Sequence, residues 1–154
     1  MPISDASATI DPAVFDPCSQ VNMTTVVAAQ LTVATTDRRS APYLSQDDRD
    51  GWVGTEADLV YSIAEELGFL PVQVTWIEEP VGVEDFVRDG GADFLIGQVT
   101  PVEAAAAGAV ASTAYAEDRG GAESVLAFVP GNPLVTCVDG AIAELSSSGQ
   151  LTAS

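Results

Sequence analysis

Short apolar runs alternate along this chain with segments whose apolar residues recur at helical spacing. The runs Leu31–Thr35 and 93–97 are compact and rich in β-branched, aliphatic or aromatic residues, which is typical of buried strands. Residues 72–77 and 125–129 predict two further strands. Strands that alternate with helices favour a mostly parallel sheet covered on both faces. The order therefore predicts an α/β fold of three layers, with helices flanking a mostly parallel sheet.

The clearest helix signal follows Gly54. Thr55 is a favourable N-cap with Asp58 three residues later, and Gly68 is a typical C-terminal stop. Apolar residues recur between them at helical spacing: Leu59, Val60, Ile63, Ala64 and Leu67. Residues 36–53, rich in Asp and Arg, are expected to form a polar loop before this helix.

Three more helices are predicted. Residues 83–89 form a short apolar-and-acidic segment that ends at two glycines. Thr100 precedes Pro101, and Asn132 precedes Pro133, so a capping side chain stands directly before proline at the first helical position. The last helix carries one apolar stripe: Leu134, Val138, Ala141, Ile142 and Leu145.

The charge balance excludes several functions. The 154 residues include 23 Asp and Glu against 5 Lys and Arg, a formal net charge of −18. Such a charge repels nucleic acid and anionic lipid, and no apolar run is long enough to cross a membrane. The chain has neither His nor Lys, so His-based acid–base catalysis and Schiff-base chemistry are excluded. We expect no catalytic residue, no metal ligand and no cofactor. Salt-adapted proteins share this acidity.

Two cysteines, Cys18 and Cys137, are too few for a structural zinc site. Thiols so far apart in sequence form one long-range disulfide in an exported protein, or stay buried and free in a cytosolic one. The composition favours the disulfide, and with it an extracellular, periplasmic or cell-surface location. Residues 1–30 predict an extended lead-in pinned near Cys18. No basic and apolar leader follows Met1, so any export signal is expected to have been removed.

Several short motifs follow one another in a fixed order: Ala41-Pro42-Tyr43, 54–59, 63–68, 86–93, Thr100-Pro101, Ala114-Tyr115 and 129–134. In this order and spacing they resemble lobe one of amino-acid-type (family 3) periplasmic or lipoprotein solute-binding proteins. The resemblance implies one lobe of a type II periplasmic-binding-protein fold. It also implies a non-catalytic solute-binding function in a system of the ABC-importer type.

The second lobe of that family has no counterpart here. Residues 31–118 and 123–151 are similar to the two halves of lobe one, and 119–122 join them where the family inserts the other lobe. We therefore expect 31–154 to form a single lobe after the lead-in. The Gly120-Gly121 pair has the look of a designed link, because glycine tolerates the turn needed. A natural single-lobe protein is the alternative.

The resemblance implies ligand contacts beyond the carboxyl ends of the strands. Candidate ligand-binding residues follow the first and third strands: Asp37, Arg38, Tyr43, Gln98, Thr100 and Glu103. The family's arginine, which clamps the α-carboxylate of its ligand, corresponds to Glu103, and its stacking aromatic corresponds to Ser40. Gln98 replaces the serine of the family's S-x-T motif, whereas Thr100 is kept. The resemblance thus implies reduced or lost amino-acid binding, and the acidity favours a cationic solute.

Other side chains have two interpretations. Arg38 and Arg39 either clamp a carboxylate or neutralise the acidic loop around them. Glu56 and Asp58 resemble a carboxylate pair, but acids in a first helical turn mainly offset the helix dipole. Trp52 and Trp76 are either ligand platforms or core residues, and the core interpretation is favoured for Trp76.

Two functions other than solute binding stay open. The first alternative is a single-lobe scaffold or interaction protein, natural or engineered. The scaffold would use the former inter-lobe face as its contact surface, and homodimerisation across that face is its expected consequence. An enzyme is the second alternative, because some members of the resembled fold family are dehydratases.

Overall fold

The computed structural model describes residues 18, 25–37, 43–47, 51–117 and 123–147. Its strands are β1 (Leu31–Thr35), β2 (Ser45–Asp47), β3 (Gly51–Val53), β4 (Val74–Trp76), β5 (Phe94–Val99), β6 (Val110–Ala111), β7 (Ala116–Glu117) and β8 (Glu123–Phe128). Its helices are α1 (Thr55–Glu66), α2 (Val83–Asp89), α3 (Pro101–Ala106) and α4 (Leu134–Ser147), with a 3₁₀ turn at Pro71–Gln73.

The main sheet has the strand order β4-β1-β5-β8-β6, and β7 also pairs with β8. β1 runs parallel to both neighbours, with Leu31 opposite Val74 and Val33 opposite Phe94. β8 is antiparallel to β5, β6 and β7. Among the described strands of this sheet, β8 alone therefore runs against the others, and the expected mostly parallel sheet is confirmed.

Helices cover both faces of the sheet. Successive residues of β5 point to opposite faces, so Phe94 and Ile96 join one apolar cluster while Leu95 joins another. The first cluster lies under α1 and α4 and includes Val60, Ile63, Val138 and Ile142. The second lies under α2 and α3 and includes Phe86 and Ala104. These two clusters confirm the predicted three-layer arrangement.

Several helix predictions are confirmed residue by residue. α2 spans the predicted 83–89, and Thr100 caps α3, whose first residue is Pro101. The Asn132 side chain accepts a hydrogen bond from the backbone N–H of Leu134 at 2.9 Å, but α4 begins at Leu134, one residue after the Pro133 that was predicted to open it. All five residues of the predicted α4 stripe are buried: Leu134, Val138, Ala141, Ile142 and Leu145.

The predicted cap of α1 is wrong. Gly54 is the N-cap, with φ of 117°, and Thr55 is already helical. A backbone carbonyl of the preceding loop takes the place of a capping side chain: Glu56 N donates to Tyr43 O at 2.8 Å, while Asp58 N makes the first regular bond of the helix, to Gly54 O at 2.9 Å. Because the loop before the helix supplies an acceptor, no capping hydroxyl is needed.

The predicted loop over 36–53 and strand over 72–77 are corrected in part. β2 and β3 form an antiparallel hairpin in which Gln46 lies opposite Trp52. The polar residues of this hairpin conceal the period-two pattern that marks a strand. At 72–77 only β4 is extended, because the Gln73 side chain accepts the backbone N–H of Leu70 at 2.8 Å and closes the 3₁₀ turn.

Two distant points fasten the start of the chain to the lobe. Cys18 and Cys137 form a disulfide between residues 119 apart in sequence. The Asp93 carboxylate accepts backbone N–H groups of Val26 at 2.9 Å and Thr32 at 2.7 Å. Residues 1–17 and 19–24 of the predicted lead-in, and the predicted junction at 119–122, lie outside the described residues. Immediately beside that junction, Ala116 pairs with Ser124.

Candidate functional site

The carboxyl ends of β1 and β5 lie side by side because these strands are parallel neighbours. Thr36, which follows β1, donates its backbone N–H to Ile96 O at 3.0 Å and its hydroxyl to Gly97 O at 2.7 Å. In an α/β sheet the ends of parallel strands are the usual ligand edge. Thr36, directly after β1, therefore lies against Ile96 and Gly97 of β5, and this edge of the sheet is the candidate site.

β5 has an irregular backbone at this edge. Its register with β8 shifts between Leu95 and Val99. Gly97 has φ of 138°, and a Cβ there would lie 2.2 Å from Thr36 Oγ1, so no other residue fits. Gln98 has φ of 59°, a left-handed conformation that is costly for a residue with a side chain. Backbone of this kind clusters at functional sites because the surroundings must enforce it.

Glu56 contacts this backbone directly. Its carboxylate is only 3% exposed, and its Oε2 accepts the backbone N–H of Gln98 at 3.0 Å. The same oxygen accepts the hydroxyl of Tyr115 at 2.5 Å. The interpretation of Glu56 as a solvated dipole partner missed these contacts. Glu56 stands three and four residues before Leu59 and Val60, both buried, so helical spacing already placed it on the apolar face of α1.

The phenol of Tyr115 stays protonated in this surrounding. Burial, followed by the negative charge of Glu56 and their hydrogen bond, raises the pKa of Tyr115 well above its ordinary value near 10. A neutral hydroxyl donates to the carboxylate, whereas a phenolate would repel it. Glu56 and Tyr115 therefore form a stable buried pair directly beneath the ligand edge.

Thr100 and Glu103 form a reciprocal cap at the start of α3. Thr100 Oγ1 accepts the backbone N–H of Glu103 at 3.1 Å, and Glu103 Oε1 accepts the backbone N–H of Thr100 at 3.1 Å. Both hydrogen bonds define a capping box. The Glu103 carboxylate thus binds the amide of Thr100, the residue that caps its own helix.

The remaining predicted residues are placed as follows. Asp37 is exposed and directly follows Thr36. Tyr43 is half-buried, and its carbonyl binds the amide of Glu56 at 2.8 Å. Arg38 lies outside the described residues, as do Arg39 and Ser40. Of the predicted residues, Gln98, Thr100 and Glu103 thus lie at or just after the end of β5, and Asp37 lies just after the adjoining end of β1.

The two tryptophans pack on each other at the sheet edge. Their ring centroids lie 5.1 Å apart in a stacked arrangement, and the Trp76 indole N–H donates to the hydroxyl of Tyr61 at 3.0 Å. Trp52 is only 7% exposed. Trp52 therefore belongs to the core beneath the hairpin, and Trp76, partly buried, supports it.

Within the described part of the chain, no helix is both long and apolar enough to cross a bilayer. The same residues contain no group of three or more His, Cys, Asp or Glu side chains that could hold a metal ion.

No protein-family model matches this chain, and no curated protein does either. Solved structures do match. Domain 1 of TmArgBP in its arginine-bound form is 21% identical at a TM-score of 0.64, over 76% of this chain and 94% of that one. An arginine-specific periplasmic binding protein of Salmonella typhimurium is 10% identical at a TM-score of 0.65, over 79% and 95%.

A third matching structure is the substrate-binding protein of an amino acid ABC transporter, 15% identical at a TM-score of 0.63, over 79% of this chain and 95% of that one. An ancestral amino-acid-binding protein, a precursor of cyclohexadienyl dehydratase, is 13% identical at a TM-score of 0.65, over 80% and 92%. This chain therefore has the fold of a single domain of an amino-acid-binding periplasmic protein, as its sequence motifs predicted.

Proposed function

We propose that this chain is a non-catalytic solute-binding lobe of an ABC-importer type system in which binding of free amino acids is reduced or lost. The fold supports the first half of the proposal, because its structural neighbours are solute-binding proteins. The capping box of Thr100 and Glu103 carries the second half.

Glu103 acts against a carboxylate ligand in two ways. Its negative charge repels an anion brought to the start of α3. Its Oε1 also accepts the backbone N–H of Thr100, so this N–H is already hydrogen-bonded within the protein. A charge-assisted hydrogen bond contributes about 1.5–3 kcal/mol, so losing two of them weakens binding roughly a hundredfold or more. The arginine at this position in the resembled family would supply such bonds.

The remaining charges favour a cationic solute. The whole chain carries a net charge of −18, which attracts cations and repels anions at the ligand edge. A polyamine, which has several ammonium groups and no carboxylate, fits this electrostatic field. The disulfide between Cys18 and Cys137 supports work outside the cytosol, where such bonds persist.

The single-lobe form is part of the proposal. β7 and β8 pair on either side of the junction, with Ala116 opposite Ser124 and Glu117 opposite Glu123. This pairing supports a chain that returns directly into the sheet instead of building a second lobe. With one lobe, a ligand contacts protein on one side only, which lowers affinity further.

Titration calorimetry with arginine, glutamine, glutamate and spermidine tests the proposal. We expect no micromolar binding of the three amino acids and measurable binding of spermidine. Glu103→Arg should restore carboxylate binding, while Glu103→Gln, which keeps a capping side chain and removes the charge, is the matched control. Micromolar binding of an amino acid to the unaltered protein would contradict the proposal. Silence toward all four, together with a dimer in light scattering, would favour the scaffold alternative.

A further inference from the structure

We infer that Glu56 is a positioning residue of the candidate site. Its buried carboxylate holds the left-handed backbone at Gln98 and joins it to Tyr115, the residue directly before β7. The inference deepens the proposed function, on which its meaning for ligand binding rests. Its structural content can be measured without any ligand.

One oxygen atom joins three segments that are distant in sequence. Glu56 Oε2 lies in the first turn of α1, 42 residues before Gln98 and 59 residues before Tyr115. It accepts the backbone N–H of Gln98 at 3.0 Å and the hydroxyl of Tyr115 at 2.5 Å. A carboxylate is suited to this position because it accepts hydrogen bonds and donates none.

The backbone at Gln98 needs an acceptor from outside its own sheet. The register of β5 against β8 shifts between Leu95 and Val99, so the ladder is interrupted here. A partly buried amide without an acceptor is costly, and φ of 59° adds conformational strain. The Glu56 carboxylate supplies an acceptor for this amide, and the hydroxyl oxygen of Tyr115 lies within hydrogen-bonding reach of the same N–H. The backbone at Gln98 leads directly into Thr100, which caps α3, so both predicted ligand residues depend on its course.

The other hydrogen bond of Glu56 is with Tyr115, which lies next to the paired strands β7 and β8. Tyr115 donates its backbone N–H to Ser124 O at 2.9 Å, next to the pair formed by Ala116 and Ser124. The same buried carboxylate thus fastens the ligand edge to the two strands that flank the junction. A shift of either segment is transmitted to the other through this atom.

Asp58 provides the contrast. It lies in the same first turn of α1 and is exposed, so its negative charge serves the helix dipole from the solvent side. Substituting Asp58 removes the same charge from the same turn. Asp58→Asn is therefore the matched control for any substitution of Glu56.

The test uses ¹⁵N-resolved spectra and amide hydrogen exchange of the ligand-free full chain. In Glu56→Leu we expect the Gln98 amide to exchange about tenfold faster, the effect of one lost hydrogen bond, while the Ile96 amide in the same strand is unchanged. In Glu56→Gln the side-chain oxygen still accepts, so protection returns, but the Gln98 proton resonance moves upfield because the acceptor is neutral. Asp58→Asn should alter neither.

Unchanged Gln98 exchange in Glu56→Leu would overturn the inference. If that variant does not fold, an unchanged Gln98 resonance in Glu56→Gln overturns it equally. Spermidine titration separates this result from the proposed function. If the protein binds no solute while Gln98 responds to Glu56, the positioning role stands and the proposed ligand fails. If the protein binds solute while the Gln98 amide is unaffected by substitution of Glu56, the proposed function stands and the positioning role fails.

Discussion

Asp93 is a buried carboxylate that binds backbone instead of a cation. It is 1% exposed and accepts the N–H groups of Val26 and Thr32. Burial raises the pKa of Asp93 above its ordinary value near 3.8, and the two hydrogen bonds oppose the rise without cancelling it. The carboxylate thus orders the entry to β1 at an electrostatic cost that depends on pH.

The raised pKa fixes the sign of that dependence. A group with a higher pKa in the folded state contributes its full stability below the unfolded pKa and loses it as pH rises through the folded pKa. We therefore expect the stability of the wild type relative to Asp93→Asn to be greater at about pH 4 than at about pH 7. Urea unfolding of both proteins at both pH values measures it. A relative loss of wild-type stability on acidification would contradict this assignment.

At the scale of elements, helix packing depends on which face of each helix meets the sheet. Val138 in α4 is fully buried within the first apolar cluster, whereas Val102 in α3 is 78% exposed. The two residues have the same side chain and both lie in helices. They therefore separate burial from helix propensity in one comparison.

Val138→Ala should lower the free energy of unfolding by about 1.5–3 kcal/mol, because it removes two buried methyl groups and leaves a cavity. Val102→Ala should leave it unchanged or raise it slightly, because alanine is the better helix former. Urea unfolding of the three proteins provides the comparison. Equal losses from both substitutions would show that α4 does not pack on the sheet as described.

For the whole molecule, the disulfide is the longest-range connection in the described part of the chain. It joins Cys18 to α4 across 119 residues, beside a groove of about 310 Å³ formed between α1 and α4. Closing a loop of this length removes unfolded-chain entropy worth about 4–5 kcal/mol at most. The thermal stability of the chain should therefore depend on its redox state.

Reduction should add two hydrogens to the measured mass and lower the melting temperature, because the unfolded state regains the lost entropy. The variant with both Cys18→Ser and Cys137→Ser should melt at the lower temperature with or without reductant, which controls for other effects of the reagent. Two free thiols in the unreduced protein would contradict the bridge and weaken the proposed location outside the cytosol.

The sequence determined what local patterns encode. Apolar periodicity and capping pairs placed α2, α3 and the buried stripe of α4, since helix formation and burial of one face depend on neighbours three or four residues away. Alternation of strands and helices determined the α/β class. Ordered motifs predicted a ligand edge after β1 and β5, with Thr100 and Gln98 among its residues, and that site stays a prediction.

Only the tertiary structure decided which distant groups meet. Glu56, Gln98 and Tyr115 converge because the sheet places β5 beside β8, which pairs with β7, and α1 packs above them. Hydrophobic periodicity specifies neither this strand order nor the register. The same holds for Asp93, whose hydrogen-bond donors lie 61 and 67 residues away. The β2–β3 hairpin escaped prediction because the contact that Trp52 makes with Trp76 joins segments distant in sequence, and such a contact leaves no local pattern.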